Sequence, residues 1–378
     1  MNSPIRTLYL FDQIWSGNGG TEQHLWWLLS RLPNSQIVKH LIVFSKVIAV
    51  DPALIPVPPT ILGDKYGRGF FSFVKKFFFL VSYIRKHQID LIHAFTIWDE
   101  LIAVFACLFA GRGKTLGHRR DVGYARNKKQ QWISRIVQFF KIPYIANSEA
   151  AKQAAYEKER ISLKRFEVIR NPIVPERIQD GSQNVFLREN LPVLADTFIV
   201  GMVATLRPIK GHEVLLRAAK IVLEAYPEAY FLFVGVQQKQ CLADLKKLAG
   251  ELGVADRIIW FGGLDNPYRI LPHFTVAVLS SHSESFSNAV LEYSVAGIPA
   301  VVTDVGGLRE IIQDGETGFV VPPNNPEALA EKICELLGDS KKREQFGKRG
   351  QEFVNSQYSE ATILEQYLNF YRHVAENK

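Results

Sequence analysis

The sequence predicts an α/β protein built as two doubly wound parallel sheets in series, and three observations carry that prediction. Short β-rich runs alternate with amphipathic helical segments along almost the whole chain, the pattern of a parallel sheet flanked by helices. The alternation restarts after a polar stretch near the middle. At 378 residues the chain is too long for one ordinary core and suits two domains of roughly 150 to 200 residues each.

In the first half the strand candidates are TLYLF, HLIVF, IDLIHAF, TLGH and PYIAN. Helical segments such as TEQHLWWLLSRL and QQWISRIVQFF lie between them, and turn residues separate most of them. GRGKTLG, residues 111–117, has glycines and a lysine, but Lys114 opens a strand rather than a helix, so it reads as a turn. The second half begins with the strand TFIVGMVA, the helix GHEVLLRAAKIVLEAYP and the strand YFLFVG, followed by RIIWFG, TVAVLS, PAVVT and GFVVP. Residues 175–196 carry polar turn residues and little periodicity, as a linker does. The expected domains are 1–177 and 178–358, with 359–378 forming one helix that packs back on the first.

Composition narrows the class. Hydrophobic residues at 47% and charged residues at 22% describe a globular chain. Cys107, Cys241 and Cys334 are odd in number and far apart, which implies neither a disulfide framework nor a zinc site and fits a reducing compartment. The amino terminus runs straight into a strand without a secretory signal, and the longest apolar runs fall short of the roughly 18 residues of a spanning helix. A cytoplasmic location is expected. The net charge of +7 is uneven: residues 1–190 hold 27 Lys and Arg against 15 Asp and Glu, leaving 18 against 23. A basic first half suits an anionic partner, be it lipid head groups, nucleic acid or an acidic substrate. Nucleic acid ranks last, because no recognition motif with interleaved aromatics is present.

In an open α/β sheet, ligands sit at the carboxyl ends of strands, where helix N-termini attract anions. The first strand ends in DQIWSGNGGTEQ, where Gly17, Gly19 and Gly20 precede a helix beginning near Thr21. That is neither G-x-G-x-x-G nor a P-loop, and a turn before a Thr-capped helix explains it equally well. In VATLRPIKGHEVLL, Arg207 and Lys210 share a loop ahead of Gly211 and a helix, which suits a diphosphate, although two solvated loop cations would read the same. SESFSNAVLE places Glu284 in a loop and Glu292 on a helix capped by Ser287. Eight residues of ideal helix turn by about 80° and rise about 12 Å, so these carboxylates are no close acid–base pair. They would grip different parts of one extended ligand, with the N–H groups near Phe286, Ser287 and Asn288 between them. A surface helix with an acidic residue at each end is the plainer alternative.

The stretch SESFSNAVLEYSVAGIPAVVTDVGGLREIIQDGETGFVVPPNNPEALAEKI resembles the donor-binding region of retaining glycosyltransferases of the GT-B fold, GT4 type (glycosyl transferases group 1), with its E-x7-E motif. VATLRPIKG, SGNGGTEQ, IDLIHAF, IANSEAAKQA and VIRNPI extend the likeness over nearly the entire chain. The resemblance implies two Rossmann-like domains facing across a cleft, and transfer of a sugar from a nucleotide-diphosphate sugar, such as a UDP-sugar, to a glycan or lipid-linked acceptor of the cell envelope. It implies that Arg207 and Lys210 neutralise the diphosphate, Glu292 holds the ribose, Glu284 contacts the sugar, and Gly19 and Gly20 close on the phosphates from the other domain. His118, in TLGHRRD, lies where the family often has a histidine facing sugar and acceptor. A strand-end histidine bound to its neighbours stays open as a reading, and His93 competes with it. The sequence departs from the family pattern with Ser285 for glycine, Ser287 for proline, and Tyr293-Ser294-Val295 for a run of small residues.

The leaving diphosphate gathers negative charge as the anomeric bond breaks, and stabilising that charge is the main task. No D-x-D occurs, and two cations with a helix dipole can do a metal's work here, so no metal or other cofactor is expected. A nucleotide-sugar epimerase or phosphorylase on the same fold, or a non-catalytic nucleotide-sugar binder, are the rival readings.

Finally, FFSFVKKFFFLVSYIRK puts Phe70, Phe73, Phe77, Val81 and Ile84 on one helical stripe, leaving Phe71, Phe78 and Phe79 over. With Lys75, Lys76, Arg85 and Lys86 nearby, the surplus suits a peripheral membrane contact, and a helix buried between sheet and neighbours is the alternative. Arg119, Arg120, Arg126, Lys128 and Lys129 add a basic cluster that favours an anionic acceptor or surface.

Overall fold

The computed structural model describes residues 3–14, 20–47, 51, 55–63, 70–123, 128–174, 197–264 and 266–376. The chain divides into two compact units, Met1–Asn171 with Ala361–Lys378, and Pro172–Glu360. The sequence-expected boundary at 177/178 and its linker lie outside the described residues, apart from the linker-adjacent residues up to 174.

In the first unit seven strands run parallel: β1 (Ile5–Ile14), β2 (Ile37–Val47), β3 (Thr60–Ile61), β4 (Leu91–Ala94), β5 (Lys114–Arg119), β6 (Tyr144–Ala146) and β7 (Phe166–Val168). Their order is β3-β2-β1-β4-β5-β6-β7, so the winding reverses between β1 and β4. Every strand expected from the sequence is there. β3 and β7, the two edges, were not expected, because two or three residues are too short for a period of two to show. Helices α1 (Gly20–Arg31), α2 (Phe70–Lys86), α3 (Ile97–Ala110), α4 (Lys128–Gln138) and α5 (Glu149–Glu159) accompany the strands. α3 opens on a capping box of Thr96 and Asp99 and stops at Gly111, whose φ of 64° is the left-handed turn that glycine tolerates best.

The sequence-based stripe on α2 is corrected at its amino end. Leu80, Val81 and Ile84 are buried and Phe77 packs against them, but Phe73 is 41% exposed, while Phe79, left off the stripe, joins the core. The helix buries the face centred on Leu80 and Ile84, which meets Leu8, Ile42 and Ile92 of the sheet and Ile102 and Ala106 of α3. Phe71 at 81% and Phe78 at 55% stand in solvent, as do Leu108 and Phe109 of α3. Among the described residues no helix is long and apolar enough to cross a membrane.

A second correction concerns Arg119. Sequence reasoning placed it in a basic cluster open to an anionic acceptor, yet it is fully buried between two carboxylates. Its Nε and Nη2 donate to Glu159 at 3.0 and 2.9 Å, Nη2 and Nη1 also donate to Glu100, and Nη1 reaches the His118 carbonyl at 3.1 Å. Ser134 donates to Glu159 at 2.6 Å, and the Tyr144 ring lies 4.8 Å under the guanidinium. All five N–H groups are satisfied, which is the condition for burying this charge. Gly117 makes room: a Cβ there would stand 2.5 Å from the Tyr144 ring and 2.7 Å from the Glu100 carboxylate. Of the rest of the cluster, Arg120 donates to Asn171 and Gly20, Lys129 lies over the Trp98 ring, and Arg126 falls outside the described residues.

The second unit holds six parallel strands, β8 (Ile199–Val203), β9 (Tyr230–Val234), β10 (Ile258–Gly262), β11 (Val276–Leu279), β12 (Ala300–Thr303) and β13 (Gly318–Val321), ordered β10-β9-β8-β11-β12-β13. Here the winding reverses between β8 and β11. Helices α6 (His212–Ala225), α7 (Lys239–Glu251), α8 (Asn288–Val295), α9 (Pro326–Gly338) and α10 (Ser340–Gln357) cover a single large core. The last helix, α11 (Glu360–Glu376), belongs from Ala361 onward to the first unit. There Tyr367 and Tyr371 are fully buried, and Lys114 of β5 caps its last carbonyls at Val374 and Ala375.

Candidate functional site

Open parallel sheets bind ligands at the carboxyl edge where the winding reverses. In the second unit that edge lies between β8 and β11, and the loops following these two strands carry Arg207, Lys210 and Glu284. The loops are fastened to each other. Ile209 accepts from the His282 N–H at 2.9 Å, and the Ser280 hydroxyl donates to the Gly211 carbonyl at 2.8 Å. Gly211 has φ of 66°, and a Cβ on it would lie 2.0 Å from the Ser280 carbonyl oxygen, so only glycine allows this approach. The loop after β12 closes on the other side: a Cβ on Gly306 would sit 1.6 Å from the Glu284 carbonyl oxygen, and the Gly307 N–H donates to Ser285 at 2.9 Å.

The cage aims its side chains. Lys210 Nζ forms an ion pair with Glu284, whose same oxygen accepts from Ser281 at 2.9 Å. Arg207 is exposed and has no side-chain partner among the described residues. Ser287 is the N-cap of α8, accepting from the Val290 N–H at 3.4 Å, as the sequence predicts. The Phe286 side chain turns into the core against Tyr358. Asn288 opens α8 half-exposed, and Glu292, one turn further on, is buried. Tyr293, the bulky departure from the family pattern, is fully buried and its hydroxyl accepts from the Val203 N–H at 2.7 Å, tying α8 to the end of β8. Sequence reasoning missed Ser280, Ser281 and Gly306. Nothing local marks them, since their roles come from contacts with loops remote in sequence.

In the first unit Gly19 lies outside the described residues, and Gly20 begins α1. His118, near the carboxyl end of β5, and its competitor His93, on β4, are not alternatives but partners. His93 Nε2 and His118 Nδ1 stand 3.0 Å apart, while His93 Nδ1 lies 2.6 Å from the Tyr371 hydroxyl. His24 of α1 meets the Tyr367 hydroxyl at 2.7 Å. Burial, reinforced by nearby Arg120, pushes the His93 pKa down to about 3, and burial likewise holds His24 and His118 well below the ordinary histidine value. All three are neutral at pH 7. His118 Nε2 is buried and has no hydrogen-bond partner among the described residues. His24, Tyr367 and Tyr371 escaped the sequence reading, because an aromatic on a helix face ordinarily signals plain core.

Two all-parallel sheets of seven and six strands, one per unit, define a GT-B protein. The structure matches HepE of Anabaena in complex with UDP at a TM-score of 0.85 and 20% identity, over 98% of this chain and 100% of that one. Residues 186–353 match the family model of glycosyl transferases group 1. N-acetyl-alpha-D-glucosaminyl L-malate synthase of Bacillus anthracis is 29% identical over 199 residues, covering 52% of this chain and 51% of its own. The capsular polysaccharide biosynthesis glycosyltransferase CapM of Staphylococcus aureus is 27% identical over 179 residues, 47% of each chain. The chain thus spans about half the length of the curated relatives it matches.

Proposed function

We propose that this protein is a retaining, metal-independent glycosyltransferase that moves a sugar from a nucleotide-diphosphate sugar to a glycan or lipid-linked acceptor in cell-envelope polysaccharide or lipopolysaccharide synthesis. The observation that carries the reading is the caged pair of loops at the β8/β11 reversal, which sets Lys210 on Glu284 beside the amino end of α8 with Arg207 unengaged. Arg207, Lys210 and the α8 N–H groups meet the diphosphate and take up its charge as the anomeric bond breaks. Glu292 holds the ribose. Glu284, already bonded to a lysine and a serine hydroxyl, suits recognition of the sugar's hydroxyls rather than attack on its anomeric carbon, so retention follows from front-face attack by the acceptor. His118 offers a hydrogen bond to a sugar or acceptor hydroxyl. The UDP bound to HepE supports a uridine diphosphate donor, and the name of CapM supports a polysaccharide product.

The test is transfer of radiolabelled sugar from UDP-, GDP- and ADP-sugars to envelope acceptors, with donor affinity followed by calorimetry. One donor is expected to bind and be transferred, with the rate unchanged by EDTA, and Arg207→Ala and Glu292→Ala are each expected to weaken its binding about 10-fold or more. Interconversion or phosphorolysis of the free donor without transfer would favour the epimerase or phosphorylase reading. Binding without turnover would favour a non-catalytic partner. Unchanged affinity in both variants would discard the site.

The exposed Phe71 and Phe78 of α2, with Arg85 and Lys86 at its end, support peripheral attachment to the cytoplasmic face of an anionic membrane. Flotation with phosphatidylglycerol vesicles is expected and should be lost in Phe71→Ser/Phe78→Ser with the melting temperature preserved. Flotation that persists in that variant rejects the face.

A further inference from the structure

We infer that Tyr371 acts through His93 as a positioning residue, fixing which nitrogen of His118 carries the proton so that Nε2 of His118 faces its ligand as a hydrogen-bond donor. The three side chains form an unbroken buried line: Tyr371 hydroxyl to His93 Nδ1 at 2.6 Å, then His93 Nε2 to His118 Nδ1 at 3.0 Å. His93 and Tyr371 are fully buried and His118 nearly so. A neutral imidazole has one donor and one acceptor nitrogen, so the line has two allowed polarities and reversing one bond reverses all of them. Both histidines are neutral, for the reasons given above. The charged and titratable neighbours agree with this: Tyr9 of β1 packs against His93, His24 of α1 meets His118 edge-on, and Arg120 adds positive charge that opposes protonation.

In the inferred polarity the Tyr371 hydroxyl, which also lies near the Tyr9 hydroxyl, donates to His93 Nδ1. His93 must then carry its proton on Nε2 and donate it to His118 Nδ1, which leaves the His118 proton on Nε2, the buried atom without a partner among the described residues. Phe95 stacks on His93 with ring centroids 4.4 Å apart and lies tilted against His118 at 5.3 Å, while the two imidazoles are 5.0 Å apart at an interplanar angle of 26°. The anchor comes from α11, 253 positions beyond His118 by their numbers, so the final helix reaches the interior of the first sheet. That His118 meets a sugar or acceptor hydroxyl rests on the function proposed above, whereas the relay rests on these distances alone.

Long-range proton–nitrogen NMR of the full chain labelled with 15N-histidine reads the tautomer directly. Wild-type His118 is expected with its proton on Nε2. Tyr371→Phe keeps the ring and removes the one donor that distinguishes the polarities, so His118 should become a mixture of tautomers. In the transfer assay kcat should fall about 10-fold while the KM of the donor stays within about twofold. Tyr367→Phe removes a matching buried hydroxyl from the same helix but from His24, and should leave the His118 tautomer as it was. A wild-type His118 protonated on Nδ1 overturns the proposal, and that measurement holds even where a variant fails to fold. So does an unchanged tautomer in Tyr371→Phe, or an equal change in Tyr367→Phe. A shifted tautomer with undiminished transfer upholds the relay and removes His118 from the proposed mechanism.

Discussion

Arg119→Met is expected to destabilise the first unit by about 3–5 kcal/mol, enough to unfold it or to lower its urea midpoint sharply. The guanidinium is fully buried and spends five N–H groups on Glu100, Glu159 and the His118 carbonyl. Removing it strands two carboxylates in the interior of the α3, α4 and α5 layer, with only Ser134 still donating to Glu159 among the bonds given above. Methionine fills most of the volume, so the loss is electrostatic rather than a cavity. The triple variant Arg119→Met/Glu100→Gln/Glu159→Gln should recover a large part of the stability, since the charges that lost their partner are gone. Equal unfolding midpoints for wild type and Arg119→Met would show that the buried cluster contributes nothing.

Lys210→Ala is expected to lower kcat/KM by about 10²–10³-fold, the range found when one preorganised donor to a developing anion is removed. Lys210 reaches its place because Gly211 adopts a left-handed turn in contact with Ser280, and because the loop is bonded to Ser280 and His282. The loss should fall mainly on kcat, for the charge on the diphosphate is greatest as the sugar leaves. Lys210→Arg should restore part of the rate, keeping the charge while disturbing the contact with Glu284. Steady-state kinetics with the transferred donor decide the matter. A rate within threefold of wild type in Lys210→Ala would remove this loop from the mechanism.

The sequence by itself determined the alternation of strands and helices, the restart near the middle, and the loops in which Arg207, Lys210 and Glu284 would be found. These are local properties: a period of two or 3.6 residues, a capping serine at 287 and a glycine at a turn are written within a dozen positions. Edge strands as short as β3 escaped because they are shorter than the period that reveals them. Tertiary structure alone decided that Arg119 is an interior ion rather than one of a surface cluster, a distinction made by Glu100 on α3 and Glu159 on α5. It also decided that Lys210 would sit on Glu284, 74 positions away, and that Tyr371 would reach His93, 278 positions away. The physical reason is the same in each case. A charged or hydrogen-bonding side chain takes its role from what it is buried against, and for these residues the partners arrive only when strands wound in opposite directions from β1/β4 and β8/β11 bring distant loops and the last helix together.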